Sequence, residues 1–229
     1  FGTSNTAAGY LRDGRPHLIQ FAPGQNTIPT TFFFDYDARR MLIGEAANHA
    51  LLAGAEGRFM RALKRILGTS LMHERRQILN ERVTFVDIIA RFLSEVKMRA
   101  EAEAGMTFDR VLSGRPVVFH GVGDPREAAA EADLRACYLA AGFREVEFMP
   151  EPQAAAIASG ALEQKGSIGL IVDVGGGTSD FSLFQSGRDG VAILANHGVH
   201  IGGTDFDRSI SIDRVMPHLG KGTELRKTM

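Results

Sequence analysis

The sequence has a single cysteine, Cys137, and almost no surplus charge, since 26 Lys and Arg face 27 Asp and Glu for a net charge of −1. One thiol forms neither an internal disulfide nor a cysteine-based zinc site, so nothing here requires an oxidising compartment. Without a basic field, we expect no binding to nucleic acid or to a membrane surface. There is no apolar run of roughly 18 residues and no leader pattern, so we expect a cytoplasmic protein without a transmembrane helix.

Several catalytic signatures are also missing. The seven histidines contain no HExxH spacing, which argues against a zinc hydrolase, and no serine stands in a GxSxG elbow. No GxxxxGK[ST] sequence occurs, and GVGDP at 121–125 does not match GxGxxG. Walker-type and Rossmann nucleotide sites are therefore unsupported.

The residues that are present give a globular composition. Of 229 residues, 44% are hydrophobic and 23% are charged, which is close to the average of soluble domains. This length can form one large domain or two smaller ones, with enough chain to bury a core.

Periodicity and turn residues predict mixed α and β elements. Residues 1–24 read as three short strands separated by turns, and the run 28–34 is rich in β-formers. Apolar spacings of mainly three and four predict helices over 44–52, 55–67 and 74–104.

The second half alternates strands with helices. Asp124 is expected to cap a helix that ends near Ala141, with Gly142 as its C′ residue. Another helix is expected from Glu151 to about Gly160. Strands are predicted at 115–122, 146–149, 168–174, 178–184 and 191–196.

The opening of the chain and its later part share one plan: strand, Gly turn with Thr and Ser, strand, tight turn, strand. Gly2 and Gly175 are 173 positions apart, which indicates two related α/β halves and not a short-period solenoid. A cleft between two such halves is a common place for a ligand.

The segment DVGGGTSD, residues 173–180, carries the clearest chemistry. The backbone N–H groups of Gly175, Gly176 and Gly177 can converge on phosphate oxygens, because glycine permits close approach and tight turning. Asp173 ends an apolar strand that we expect to be buried, where an unpaired carboxylate is costly. A Mg²⁺ ion that keeps several waters would offset that cost. Gly2, Thr3 and Ser4 form a matching first loop that can hold a second phosphate group.

Seven segments occur in an order that resembles one family: FGTSN, IPTTFFF, GEAA, LKRILG, MPEPQAAAIASG, IVDVGGGTSDFSLF and HIGGTDFD. Together they are similar to the Hsp70 group of the actin/hexokinase/Hsp70 ATPase superfamily, and nearest to its YegD-type members, which are shorter. GGGTxD and EPxAAAIA also occur in bacterial actins, whereas LKRILG with IGGTDFD favours the Hsp70 branch. The resemblance implies a two-lobed actin-like ATPase fold, of the ribonuclease H-like α/β class, with duplicated mixed β-sheet halves.

The resemblance also implies roles for individual residues. Lys64 matches a lysine at the γ-phosphate and the attacking water, and Glu151 matches a carboxylate near the metal-bound waters. Asp173 matches the aspartate that orients those waters, so it would hold Mg²⁺ through water. Thr178 matches a hydroxyl at the γ-phosphate. The remaining matches bind nucleotide: Gly2, Thr3, Ser4, Gly202 and Gly203. Asp205 and Asp207 are expected to be structural, and His120 is given no role.

The resemblance places the first lobe at 1–165, with an inserted subdomain at about 28–108, and the start of the second lobe at 166–229. In the family an aspartate precedes the first phosphate loop and the adenosine-binding segment follows later than residue 229. We therefore expect this chain to be part of a longer protein with an incomplete second lobe.

The implied function is binding and slow hydrolysis of ATP with Mg²⁺ by an Hsp70-like chaperone domain, with client proteins or co-chaperones as possible partners. Two other classes stay open: a filament-forming actin relative, and a nucleotide-binding regulator without turnover. A sugar kinase of the same superfamily is less favoured, because the sequence shows no sugar-site signature.

Overall fold

The computed structural model describes residues 1–121, 123–159, 166–187 and 191–223. The chain is mixed α/β. Its amino-terminal strands pair in small antiparallel units. The first unit joins β1 (Asn5–Ala7) to β4 (Thr27–Pro29), and the second is a hairpin of β2 (Gly9–Arg12) and β3 (Arg15–Leu18).

A three-stranded antiparallel sheet follows, with the buried strand β5 (Thr31–Asp35) between β6 (Arg40–Ile43) and β7 (Gly57–Arg61). Helix α1 (Glu45–Leu52) lies between β6 and β7 in the chain. The hairpin of β8 (Arg76–Ile78) and β9 (Glu81–Val83) precedes the long helix α2 (Phe85–Ala104).

The middle of the chain is a parallel unit. β10 (Arg110–Arg115) pairs with β11 (Glu145–Pro150), and helix α3 (Glu127–Ala140) connects them, as a parallel pair requires. Helix α4 (Glu151–Ala158) starts directly after β11.

The last unit is an antiparallel meander of β12 (Ile168–Val174), β13 (Ser179–Ser186) and β14 (Val191–Val199). Helix α5 (Gly203–Ile210) follows and continues through two short irregular turns, Ser211–Val215 and Met216–Leu219.

The main core lies between α2, α3 and the β5 sheet. Phe32 and Phe92 are fully buried, with ring centroids 5.6 Å apart, and Leu134 of α3 is also inaccessible to solvent. Apolar side chains of this size each stabilise the fold by roughly 1.5–3 kcal/mol on burial. This core supports the segment 63–68, which carries Lys64.

Three predicted elements are wrong. The helix predicted over 55–67 is strand β7 followed by a 3₁₀ turn at Leu63–Ile66, because pairing with β5 overrides the local helical pattern. The helix predicted over 74–104 begins only at Phe85. Residues 76–83 form a hairpin instead, with Leu79 at a φ of +54° in its turn.

The third correction concerns the joint around Asp124. The strand lies earlier than predicted: β10 covers Arg110–Arg115 and not 115–122. Residues 116–121 lie outside any strand. Helix α3 starts at Glu127, and Asp124 does not cap it: its carboxylate accepts from the backbone N–H of Arg126 at 2.9 Å. Glu127 instead accepts from the backbone N–H groups of residues 119–121, which holds this loop onto the helix start.

Other predictions are confirmed. α1, α4 and the three strands of the meander form where they were expected, and Gly142 follows α3 with a φ of +93°. Helix α4 ends at Ala158, and the predicted end at Gly160 lies outside the described residues.

Candidate functional site

The second glycine loop is the turn between β12 and β13. Their register pairs Val174 with Ser179, so Gly175 to Thr178 form the turn, and the N–H of Gly175 donates to the Thr178 carbonyl at 2.9 Å. The same register places Asp173 opposite Asp180. The tight turn therefore sits between two carboxylates.

The first glycine loop lies against the second. The N–H of Gly2 donates to Thr6 Oγ1 at 3.2 Å, which fixes the start of the loop. A Cβ atom on Gly176 would lie 2.3 Å from Ser4 Oγ, and one on Gly177 would lie 3.2 Å from Thr3 Cγ2. The structure thus brings the two predicted loops into contact.

A third segment, at the start of α5, packs backbone to backbone on the second loop. The N–H of Gly203 donates to Gly175 O, and that of Thr204 to Gly176 O, both at 2.9 Å. A Cβ atom on Gly202 would lie 2.6 Å from Gly175 O and from Gly177 N. The approach at Gly202 leaves no room for a side chain, and the predicted role of Gly202 and Gly203 at the nucleotide stays a prediction.

Adding a methyl group at Gly202 should therefore destabilise the protein. We expect Gly202→Ala to cost about 1–3 kcal/mol, because backbone atoms must move to admit it. Gly203→Ala is the matched control: its Cβ would have no neighbour closer than 3.8 Å, and a change within about 0.5 kcal/mol is expected. Thermal unfolding of both variants checks this, and equal effects would contradict the packing described.

Lys64 and Glu151 form an ion pair beside these loops. Lys64 lies on the 3₁₀ turn Leu63–Ile66, Glu151 begins α4, and Lys64 Nζ donates to Glu151 Oε1 at 2.6 Å. The side chain of Lys64 is 9% exposed and that of Glu151 is 28% exposed. The pair is therefore largely withdrawn from water and strongly interacting.

The turn that carries Lys64 is anchored on α3 through Gly68. The φ of Gly68 is +78°, and a Cβ there would lie 2.6 Å from Arg126 O. The buried carboxylate of Asp133 accepts from Gly68 N and from His73 Nε2, both at 2.8 Å. These contacts explain why LKRILG ends in glycine and how Lys64 is held in place.

The carboxylates of Glu151, Asp173 and Asp180 interact with one another near Lys64. Burial raises the pKa of Asp173, and the charge of Glu151 raises it further, whereas Lys64 lowers it. Burial also raises the pKa of Asp180 to about 6, against a hydrogen bond from Thr178, and the charges of Glu151 and Asp173 add to the rise. Three carboxylates thus share one ammonium group.

Asp180 is a site residue that the sequence analysis did not select. It is 1% exposed, and its Oδ1 has no hydrogen-bond partner in the part of the chain that the structure describes. A buried carboxylate oxygen without a partner is unfavourable. The signal was available, because Asp180 alternates with Ser182 and Phe184 on the buried face of β13.

These carboxylates fit a hydrated divalent cation. Within the described ranges, no three acidic, His or Cys side chains are close enough to ligate a metal together. Mg²⁺ usually keeps several waters, and such an ion can sit among the carboxylates without direct ligation by all of them. The unpartnered oxygen of Asp180 and the raised pKa of Asp173 are the features that a cation would relieve.

Thr178 completes the set of predicted residues at this place. It lines a cavity of about 10 Å³ together with Thr3, Lys64, Arg65 and His200. A volume of this size corresponds to about one water molecule.

None of the helices among the described residues is long and apolar enough to cross a membrane.

The chain is similar to known proteins over most of its length. The family model described as Hsp70 protein matches residues 1–225. The chain is 32% identical to the chaperone protein DnaK of Thermosipho africanus (strain TCF52B), over 99% of this chain and 36% of that protein. It is 31% identical to the chaperone protein DnaK of Endomicrobium trichonymphae, over 98% of this chain and 36% of the relative.

The chain thus spans about a third of the length of these curated relatives. Its mixed α/β architecture and the family match confirm the predicted actin-like ATPase fold. The narrower resemblance to YegD-type members stays a prediction. The extent of the family match, with the meeting of the glycine loops, Lys64 and Glu151, shows that this chain belongs to the Hsp70 family.

Proposed function

We propose that this chain is the amino-terminal part of an Hsp70-like chaperone nucleotide-binding domain that binds ATP with Mg²⁺ and hydrolyses it slowly. The observation that carries the proposal is the convergence of three glycine-containing segments beside the Lys64–Glu151 pair. Backbone that approaches this closely, next to one ammonium group, suits a chain of phosphates.

The two loops would clamp the phosphates through backbone N–H groups other than those of Gly2 and Gly175, which donate within their own loops. Thr3, Ser4 and Thr178 would add hydroxyl donors, and the Gly202–Gly203 backbone would support the second loop from behind. Asp173 would hold Mg²⁺ through water, and Asp180 would face the same ion from the paired strand. When bound, the ion would neutralise charge on the phosphate oxygens.

Hydrolysis of ATP depends mostly on positioning and charge stabilisation. Lys64 would supply a fixed positive charge at the terminal phosphate, and Glu151 would hold Lys64 in place. Thr178, at the end of the turn, would orient a water molecule, and the carboxylate of Asp173, just before the turn, would accept its proton. Because the cavity between Lys64 and Thr178 measures only about 10 Å³, nucleotide would have to separate the loops.

We also propose the domain division of an actin-like ATPase: a first lobe at 1–165 with an insertion at 28–108, and a second lobe from 166. One face of β12 supports this division, because Ile168, Leu170, Val172 and Val174 are each more than half exposed. Such a row is unusual on a monomer surface and suits a face that more of the second lobe covers. The proposal includes a cytoplasmic location and protein clients or co-chaperones as partners.

The experiment uses the full-length protein. Calorimetry should show Mg²⁺-dependent ATP binding, and a phosphate-release assay should show slow turnover that Glu151→Gln lowers by at least about 10-fold. Glu147→Gln, an exposed glutamate on β11, is the control and should leave turnover unchanged.

Three other outcomes would overturn the proposal. ATP-dependent pelleting would favour a filament-forming actin relative. Tight ATP binding without turnover would favour a nucleotide-binding regulator. No binding by folded protein would mean that the loops retain the fold without its chemistry.

A further inference from the structure

Arg65, next to Lys64, holds the start of α5 and the end of β14. Its guanidinium donates from NH1 to Thr204 Oγ1 at 2.8 Å and lies 3.4 Å from both carboxylate oxygens of Asp205. Its Nε donates to His200 Nε2 at 3.3 Å. One side chain of the 63–66 turn therefore contacts three residues that lie about 135–140 positions later.

The partners of His200 fix its protonation state. Arg65 has no acceptor to offer, so His200 Nε2 must accept and carries no proton. His200 Nδ1 lies 3.1 Å from the carbonyl oxygen of Phe119, which only accepts, so Nδ1 carries the proton. His200 is therefore a neutral imidazole that bridges the 116–121 segment to Arg65.

His200 also borders the reacting region. It lines the cavity of about 10 Å³ that Lys64 and Thr178 line, and it follows directly on β14. Because Arg65 follows Lys64 directly in the chain, a change in the contacts between His200 and Arg65 would shift the backbone that carries Lys64. Arg65 Cγ lies close to the second loop as well, since a Cβ on Gly177 would be 3.2 Å from it.

We propose that Arg65 and His200 are positioning residues which, through a hydrogen bond that requires neutral His200, hold Lys64 in register with the second glycine loop. The inference rests on the proposed function for its effect on turnover, but the contact itself is independent of nucleotide. It assigns a role to a histidine and an arginine that the proposed mechanism does not use.

The contact should fail in acid. The charged or titratable groups around His200 are Arg65 and Lys64 on the 3₁₀ turn, His120 on the 116–121 segment and Asp205 on α5. The ring of His120 stacks on that of His200 at 5.9 Å. Burial lowers the pKa of His200, and Arg65 and His120 lower it further, against the Phe119 hydrogen bond and Asp205. The native protein thus binds this proton less readily than the unfolded chain, so the contact is present at and above about pH 6.5 and is lost as pH falls through the lower native pKa of His200.

The first test needs no activity. In full-length protein with labelled histidines, NMR should show His200 as the Nδ1–H tautomer, titrating below the free imidazole value; His200→Gln identifies its signal. Arg65→Gln should move this titration to higher pH, because the positive charge beside the ring is removed. His200 titrating at the same pH in wild type and Arg65→Gln would overturn the proposed contact.

The second test separates positioning from stability. His200→Gln keeps an acceptor that does not titrate, so the part of the acid loss of kcat that comes from His200 should disappear, while the part that comes from Asp173 and Asp180 stays and kcat near pH 8 remains within about 3-fold. Arg65→Gln should lower kcat by about 10- to 100-fold with a smaller change in KM. His197→Gln, an exposed histidine on β14, should keep the wild-type profile.

The two proposals fail separately. An unaltered acid profile in His200→Gln would overturn the positioning role even if the protein hydrolyses ATP. If the protein neither binds nor hydrolyses ATP, the proposed function and the effect on turnover both fail, and the NMR titration still decides the Arg65–His200 contact.

Discussion

Lys64→Ala in the full-length protein should lower ATP turnover by about 100-fold or more, while nucleotide still binds within about 10-fold of wild type. The reason is that most contacts to the phosphates would come from loop backbone, whereas Lys64 supplies an ammonium group that acts on Glu151, Asp173 and Asp180. Its loss removes charge stabilisation at the reacting phosphate, where preorganised charge is worth the most. Single-turnover phosphate release and calorimetry measure the two quantities separately.

The structure provides a control for simple misfolding. Lys64→Ala leaves Glu151 without its partner, and the removal of Lys64 should raise the pKa of Asp173, which Lys64 lowers. Lys64→Ala combined with Glu151→Gln restores part of the balance of charge, so it should recover stability but not turnover. A single variant that keeps wild-type turnover would remove Lys64 from the mechanism.

The parts of the fold that could be predicted are those with a local signal. The meander β12–β14 has Gly turns and alternating residues, and α4 follows the Glu-Pro start that favours a helix beginning. The glycine loops were predictable for the same reason, since three adjacent glycines between two strands permit a tight turn and close backbone approach. Their contact with each other followed from the repeated plan and the family resemblance.

Two of the wrong elements share one physical cause. Residues 57–61 become a strand because β5 offers an edge to pair with, and this partner lies about 26 residues earlier, outside any local window. The pattern over 74–104 includes Ile78 and Val83, which pack into the same core from a hairpin. The true start was marked by Thr84, whose side chain accepts from the N–H of Asp87 while Asp87 accepts in return.

The missed site residues depend on tertiary contacts. Arg65 meets His200 over 135 positions, and nothing in either local sequence specifies the partner. Asp180 was visible in GGGTSD, but its burial and its unpartnered oxygen come only from the packing of β13 against β14 and Gly198. The sequence therefore indicated where the site lies, but not which charged side chains of the site are buried or paired with each other.

Asp180→Asn should stabilise the protein near pH 7.5 in the absence of Mg²⁺ and nucleotide, by about 2 kcal/mol. Burial raises the pKa of Asp180 to about 6 from the ordinary 3.8, so the native state holds this proton more tightly than the unfolded chain. The stabilisation from the protonated form is fully present below about pH 4 and is lost as pH rises through about 6. Above that, the ionised carboxylate is a buried charge with an unpartnered oxygen, which the neutral amide replaces at nearly the same size.

Unfolding midpoints from pH 4 to 8 check this, and the gain should vanish at the acid end, where wild-type Asp180 is itself neutral. Asp207→Asn, an exposed aspartate on α5, should change stability little at any pH. Adding Mg²⁺ with ATP should reverse the order at pH 7.5, because the ligands stabilise the state they bind and wild type offers them one more charge. A variant that is less stable than wild type at pH 7.5 without ligand would mean that Asp180 is satisfied as an anion, and the case for a cation beside it would fall.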